Sequence, residues 1–117
     1  MSQVSSVRVR FEDLRSLGFA GIGAAYAAVG TPLTHPIRIL KIVNLSDIDL
    51  LVSFNGIDDK DIVPTKGFVL YDLSTNKSDT GGYFEVPVGD RVYVKQEAAV
   101  AATAGSVYVT AIYASHV

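Results

Sequence analysis

The chain has 117 residues, of which 49% are hydrophobic and 19% are charged, and its formal net charge is −2. This length is enough for one domain with its own core and too short for two. The lack of cysteine excludes a disulfide framework and a thiolate metal site, and it fits a protein made in a reducing cytoplasm. Because the Lys and Arg residues are scattered singly in a slightly acidic chain, we expect no nucleic-acid partner.

Neither the N-terminus nor the most apolar segment predicts a membrane partner. The first residues, MSQVSSVRVRFEDLRS, lack the apolar core and the cleavage site of a signal peptide. The segment from Phe19 to Val29 has about half the length that a membrane helix requires. In a small domain, the high apolar content instead favours a subunit interface.

Residues 1–30 are predicted to form an extended N-terminal arm. Val7, Val9 and Phe11 alternate with two arginines, which is the period of an edge or docking strand. Residues 12–17 suggest one weak helical turn. The tract that follows, GFAGIGAAYAAVG, lacks the third glycine of a dinucleotide-binding loop. We interpret it as a small-residue segment that lies close to a neighbouring backbone or subunit.

Residues 31–117 are predicted to form the main β domain. Two prolines, Pro32 and Pro36, impose extended backbone on the residues before them. The run Ile37–Val43 then carries apolar residues on both faces, as a central strand does. Leu50–Phe54 is predicted to be its antiparallel partner.

The remaining elements follow strong turn signals. Asn55-Gly56 predicts a turn because both residues tolerate a positive φ, and polar residues 57–61 predict a solvated loop or a short edge. Strands are predicted at Phe68–Leu73, Arg91–Glu97 and Ser106–Ala114, and Ser74–Gly82 is predicted to be a surface loop. About seven short strands indicate a single all-β domain, an antiparallel β-sandwich or jelly roll.

No residues combine into a recognisable catalytic or metal site. His35 and His116 are far apart in sequence, and the chain has neither a cysteine nor a nucleophile-elbow motif. The aspartates between residues 47 and 61 lack the spacing of a calcium loop and are interpreted as turn residues. The glutamates stand in separate contexts and do not suggest a glycosidase pair. We therefore expect no enzyme activity, no cofactor and no metal.

The aromatic residues are predicted to be structural. Those in predicted strands are expected to pack in the core or across strands rather than to form a sugar-binding face, since tryptophan is absent. They are Phe54, Phe68, Tyr71, Tyr93, Tyr108 and Tyr113.

Residues 26–114 resemble small virion structural proteins of tailed bacteriophages. The features that carry the resemblance are the run TPLTHPIRILKIVNLSDIDLLVSFNGIDDKDIVPTKGFVLYDLSTNK, the segment RVYVKQ, and the closing strand GSVYVTAIYA. The resemblance implies a head decoration (cement) protein, a neck or connector piece, or a tail accessory subunit. It implies no catalytic residues.

Composition and resemblance together predict a non-enzymatic, homo-oligomeric virion subunit that is made in the host cytoplasm and bound to the major capsid or to neck and tail proteins. Its N-terminal arm would add a strand to a neighbour's open sheet edge. The predicted contact residues are Val7, Val9, Phe11, Phe19, Ile22 and Tyr26. The alternative function is a tail-associated module that binds a receptor or a carbohydrate through loops Asn55–Lys60 and Ser74–Gly82. A small β-sandwich enzyme is the third hypothesis.

Overall fold

The computed structural model describes residues 7–73 and 85–116. These residues form nine strands and one short 3-10 helix, which spans Phe19–Gly21. The strands are β1 (Val7–Phe11), β2 (Arg15–Gly18), β3 (Ala27–Ala28), β4 (Ile39–Asn44), β5 (Leu50–Ser53), β6 (Asp61–Val63), β7 (Phe68–Asp72), β8 (Tyr93–Gln96) and β9 (Ser106–His116).

The strands make two antiparallel sheets that pack into one domain. The large sheet has the order β1-β9-β4-β7, and β2 also pairs with β9. The small sheet has the order β3-β8-β5-β6. The predicted all-β, antiparallel sandwich is therefore confirmed.

Alternation along the strands builds the core between the two sheets. In β4, Leu40 and Ile42 are buried while their neighbours are half-exposed, and β4 lies between β7 and β9. This confirms the prediction of a central strand. In β9, Val107 and Val109 are completely buried, as its alternation predicted. The small sheet completes the core with Leu50, Val52, Val63 and Val94.

The predicted pairing between the Leu50–Phe54 run and β4 is wrong. β5 lies in the small sheet, where it pairs with β6 and β8. The reason is the buried turn after β4. Asn44 Nδ2 donates hydrogen bonds to the carbonyls of Ile48 and Val63, and Asn44 Oδ1 accepts from Ser46 N. These bonds fix the turn in a conformation that directs the chain from the large sheet into the small sheet, so β5 does not fold back on β4 as a hairpin.

The predicted helical turn at residues 12–17 is also wrong, because this segment contains a β-bulge and then β2. Phe11 pairs with Ile112, and Arg15 pairs with Val109. Three residues therefore stand opposite two on β9, which is the count of a β-bulge. Glu12 and Arg15 consequently face the same side of the sheet although they are three positions apart.

The N-terminal segment does not extend from the domain as a free arm. From residue 7 onward, β1 and β2 pair with β9 of the same chain. Ile22 and Val29 belong to the hydrophobic core. Residues 7–30 are thus part of the sandwich, because their strands complete the large sheet and their apolar side chains fill the space between the sheets.

Two glycines hold backbone conformations that other residues rarely adopt. Gly56 has a φ of +77°, as the Asn-Gly turn predicted. Gly105 has a φ of +85°, and a Cβ atom there would lie 2.0 Å from the carbonyl oxygen of Leu45. The predicted loop Ser74–Gly82 lies outside the described residues.

Candidate functional site

The main candidate site is the outer face of the large sheet, the face turned away from the core. The strand register places its side chains in rows across the four long strands: Phe11, Ile112, Ile39 and Asp72 form one row. We define the outer face as Val9, Phe11, Ile39, Lys41, Val43, Phe68, Leu70, Asp72, Tyr108, Thr110, Ile112 and Ala114.

The outer face is apolar and exposed. The exposed fractions are 68% for Val9, 64% for Phe11, 61% for Phe68 and 53% for Leu70. Together with the half-buried members they present on the order of 500 Å² of apolar surface. Apolar patches on monomers reach about 300–600 Å², and the largest are often functional. The outer face is therefore a candidate binding surface.

Strand β7 explains how the sequence produces this surface. Its residues are apolar on both sides, with Val69 and Tyr71 packed against the core and Phe68 and Leu70 pointing outward. In a sandwich of two sheets, one face of each sheet meets the core, and the other face of the large sheet has no second layer among the described residues. Phe68 is therefore exposed and not a core residue, and of the two expected kinds of packing it has a cross-strand neighbour, Val43.

Of the six predicted contact residues, the structure brings two together on the outer face. These are Val9 and Phe11. Phe19 is 41% exposed in the 3-10 helix, whereas Ile22 is only 7% exposed and packs in the chain's own core. Tyr26 is half-buried and bonds to Asp59. Val7 belongs to β1, but its side chain lies outside what is described.

Sequence reasoning missed the members of the outer face contributed by the other strands. Phe68, Leu70 and Ile112 continue the apolar surface that begins with Val9 and Phe11. A signal was present in β7, whose apolar side chains occupy both alternating positions. This pattern is typical of a strand covered on both faces, and only one of those covers is found within the described chain.

A second candidate is the Glu12 cluster, a polar group at the rim of the large sheet. The bulge turns Glu12 and Arg15 to the same side, where Arg15 Nη2 lies 2.8 Å from Glu12 Oε1. The other carboxylate oxygen accepts from the Thr34 backbone N–H at 3.1 Å and lies 2.6 Å from His35 Nδ1. The His35 ring stacks on Tyr113 with centroids 3.7 Å apart.

Most of this cluster is buried despite its charge. The side chains of Glu12 and Arg15 are 3% and 8% exposed. Arg15 also donates to the carbonyl of Thr31 at 2.7 Å and to that of Pro32 at 2.9 Å. The cluster therefore fastens the bulge to the proline-containing segment that precedes β4.

The pKa of Glu12 reflects two opposed effects. Burial raises it, but hydrogen bonds from His35, Arg15 and Thr34 outweigh the burial and hold the pKa below its ordinary value. Among the described residues, these bonds occupy both carboxylate oxygens. The group therefore acts as a buried anchor.

The Glu12 cluster does not have the hydrogen-bond arrangement of a hydrolytic triad. It borders an open cleft of about 570 Å³. A triad needs the hydroxyl and the carboxylate on different nitrogens of the imidazole. Here the Thr34 hydroxyl and the Glu12 carboxylate both approach Nδ1 of His35, at 3.1 and 2.6 Å. His35 is 43% exposed, as the sequence suggested for a surface residue.

The aspartates predicted to be turn residues are engaged in separate local contacts. Asp47 accepts hydrogen bonds from Thr103, which lower its pKa. Asp49 accepts from Thr65 N, and Asp61 from the Tyr71 hydroxyl. Within residues 7–73 and 85–116, no group of three or more His, Asp or Glu side chains could hold a metal ion.

The loop Asn55–Lys60 is held to the small sheet. The Tyr26 hydroxyl donates to Asp59, and Lys95 Nζ lies 3.5 Å from the same carboxylate. Lys95 also sits 4.6 Å above the Tyr26 ring. Burial and the Asp59 hydrogen bond raise the pKa of Tyr26, while that of Asp59 is lowered. The loop therefore has a defined position.

Comparison with protein-family models, with curated proteins and with solved structures found no match. In the part of the chain that the structure describes, no helix is long and apolar enough to cross a membrane.

Proposed function

We propose that this chain is a non-enzymatic structural subunit of a tailed-bacteriophage virion, an oligomeric accessory protein of the capsid or of the neck and tail. The single observation that supports an assembly role best is the exposed apolar outer face. The phage assignment is supported by the sequence resemblance of residues 26–114. The finished subunit would reside in the virion after synthesis in the host cytoplasm.

The free energy available from burying the outer face suits a contact that is repeated many times in an assembly. Burying about 500 Å² of apolar surface contributes roughly 12 kcal/mol before the costs of association. Those costs amount to about 4–15 kcal/mol for two proteins. One contact is thus modest by itself and becomes strong when subunits are held together on a shared particle.

The partners in this proposal are other copies of the chain and the major capsid or neck and tail proteins. Neither nucleic acid nor a membrane is a partner. The outer face suits protein, because Lys41 and Asp72 are its only charged members and a nucleic-acid surface would need clustered basic residues.

The test compares wild type with Leu70→Asp. The mass of each purified chain is measured by light scattering, alone and then mixed with empty phage heads before sedimentation. We expect the wild-type chain to self-associate or to co-sediment with the heads, and Leu70→Asp to lose at least tenfold in affinity. Leu70 is 53% exposed, so its replacement leaves the fold intact.

Ile57→Asp is the matched control, because Ile57 is 78% exposed and lies in a loop beyond β5, outside the outer face. This control should assemble like wild type. A wild-type monomer that ignores the heads would contradict the proposal. If such a monomer bound a glycan through the Asn55–Lys60 loop, the receptor-binding alternative would replace it. Turnover of a phosphoester, peptide or glycoside would revive the enzyme hypothesis.

A further inference from the structure

Strand β7 is an open edge of the large sheet, because within the described chain it pairs only with β4. Just before β7, the backbone N–H of Asn44 donates to the carbonyl of Gly67, and the register then continues unbroken along the strand. In an antiparallel ladder, the backbone groups of alternate residues face the partner strand. The odd-numbered residues of β7 therefore bond to β4, whereas the N–H and C=O groups of Phe68 and Leu70 point to the open edge. No hydrogen bond to another described residue occupies these four groups.

The other open edges of the described sheets carry features that oppose strand pairing. β1 presents Arg8 and Arg10, β2 follows the bulge, and β3 has only two residues. β6 is three residues long, begins with Asp61 and is followed by Pro64. Short length, charge, bulges and proline are the usual means by which proteins keep sheet edges from pairing. Residues 68–71 of β7 contain no charge and no proline, so β7 is the edge that is open to another strand.

Two copies of β7 complement each other in one antiparallel register. A two-fold axis through Val69 sets Phe68 of each copy opposite Leu70 of the other, so all four outward backbone groups of each copy find partners. It also packs the phenyl ring of Phe68 against the Leu70 side chain twice on the outer face. An axis through Leu70 would instead set Phe68 opposite the carboxylate of Asp72. The hydrophobic pattern therefore selects the axis through Val69.

We propose that β7 pairs antiparallel with β7 of a second copy of this chain, which joins the two large sheets into one continuous sheet. This inference rests on the proposed assembly function and names a partner for one edge of the domain. The small sheet leaves room for the pairing, because its last strand, β6, packs mainly over β4. The pairing gives Phe68 and Leu70, which are 61% and 53% exposed, a second cross-strand neighbour. It also places the two outer faces side by side as a single apolar surface.

A disulfide crosslink tests this register, because the chain has no cysteine of its own. In the proposed dimer, the two Val69 residues form a non-hydrogen-bonded pair with Cα atoms about 4.5 Å apart, a distance that a disulfide spans. We expect Val69→Cys to give a covalent dimer under mild oxidation with copper–phenanthroline. Leu70→Cys is the matched control on the same strand. Its two copies would lie about 9 Å apart in the ladder, beyond the limit of about 7 Å for a disulfide, so it should remain monomeric in the same assay.

Sedimentation velocity with Leu70→Pro measures the non-covalent dimer. Proline removes an N–H that points to the second copy and none that bonds to β4, so we expect the dimer to weaken by at least about tenfold. Val9→Pro is the control. The backbone N–H of Glu12 bonds to Ala111 of β9, which by alternation puts the N–H of Val9 at the open edge of β1, where no pairing is proposed. This variant should dimerise like wild type, and circular dichroism confirms that both variants are folded.

Three results would overturn the inference: Val69→Cys that stays monomeric under oxidation, Leu70→Cys that crosslinks equally well, or Leu70→Pro that dimerises like wild type. Their failure is separate from a failure of the proposed function. Wild type that is monomeric in solution, but whose co-sedimentation with phage heads is lost in Leu70→Asp, would keep the assembly role and replace the second copy by a capsid, neck or tail protein.

Discussion

Replacing Glu12 by Gln should strongly destabilise the fold although the two side chains have the same shape. In the native cluster, Oε1 accepts from Arg15 and Oε2 accepts from the backbone N–H and the hydroxyl of Thr34. A glutamine amide can keep one acceptor. In the Oε1 position its NH₂ group would meet the Arg15 guanidinium, which cannot accept a hydrogen bond. In the Oε2 position it could donate to the Thr34 hydroxyl oxygen or to His35 Nδ1, but the Thr34 backbone N–H would lose its acceptor.

The expected loss is about 3 kcal/mol of unfolding free energy at pH 7. Loss of the acceptor for the Thr34 N–H costs about 1 kcal/mol, and weakening the charge-assisted bond between Glu12 and Arg15 costs about 2 kcal/mol. Both side chains are almost completely buried, at 3% and 8% exposure, so solvent screens this pair weakly. At about 4 °C per kcal/mol for a domain of this size, the melting temperature should fall by roughly 12 °C.

The destabilisation should disappear in acid, with a sign set by the Glu12 pKa. Since folding lowers this pKa from its ordinary value of 4.5, the ionised carboxylate stabilises the fold above that value. The stabilisation is lost as the pH falls through the lower, folded-state pKa. Wild type and Glu12→Gln should therefore converge in stability as the pH falls below 4.5 and through the folded-state pKa.

This prediction is tested by measuring the unfolding free energies of wild type and Glu12→Gln in urea at a series of pH values from about 7 to about 3. Asp13→Asn is the matched control, because it removes a neighbouring carboxylate that is exposed, and it should change stability by less than about 0.5 kcal/mol. A Glu12→Gln loss below about 1 kcal/mol at neutral pH, or a loss that persists unchanged at the acid end of the series, would refute the anchoring role of the cluster.

Two further substitutions test the turns that set the sheet topology. Gly105→Ala should cost about 2 kcal/mol more than Gly89→Ala in urea unfolding: both glycines have positive φ, but only the Gly105 methyl would meet the Leu45 carbonyl. Equal losses would show that this close approach can relax. Asn44→Asp should cost about 3 kcal/mol, because it turns a carboxylate oxygen toward the carbonyls of Ile48 and Val63. Asn55→Asp is the comparison: it also replaces a donor, here to Asp58, but in an exposed turn where water screens the charges, so it should cost less, and equal losses at both sites would contradict the buried role of Asn44.

The sequence was sufficient to predict the strands whose alternation is regular. β9 and β4 were found close to their observed bounds, because β-branched residues alternate along them and the inward set is buried. The Asn55-Gly56 turn was predicted correctly because the positive φ that such a turn requires is tolerated by these two adjacent residues. Local patterns of this kind depend on a few neighbouring positions, so they are readable without knowing the rest of the fold.

The sequence was not sufficient where distant segments decide the outcome. The pairing of β5 depends on the buried contacts of Asn44 with Ile48 and Val63, which no periodicity encodes. The bulge was mistaken for a helical turn for a related reason. Glu12 and Arg15 are three residues apart, which is also the spacing of an ion pair along a helix, and only pairing with β9 shows that an extra residue creates this geometry.

The candidate surface was predicted in part. Val9 and Phe11 were identified because the N-terminal alternation has charged neighbours, which makes an apolar face visible. Phe68 was expected to pack in the core or across strands, and Leu70 was predicted only as part of a strand, because the residues of β7 are apolar on both sides and the sequence does not show which side the second sheet covers. The packing of Val69 and Tyr71 against the core settles that question, because it leaves Phe68 and Leu70 on the other face.

The anchor and the outer face are connected through β1. Phe11 points outward, and Glu12, the next residue, points inward to Arg15 and His35. The buried cluster therefore fixes the end of the strand that carries Val9 and Phe11. A surface that is ordered before binding loses less conformational freedom when a partner covers it. For this reason Glu12→Gln should weaken assembly more than Asp13→Asn does, even at temperatures where both variants remain folded.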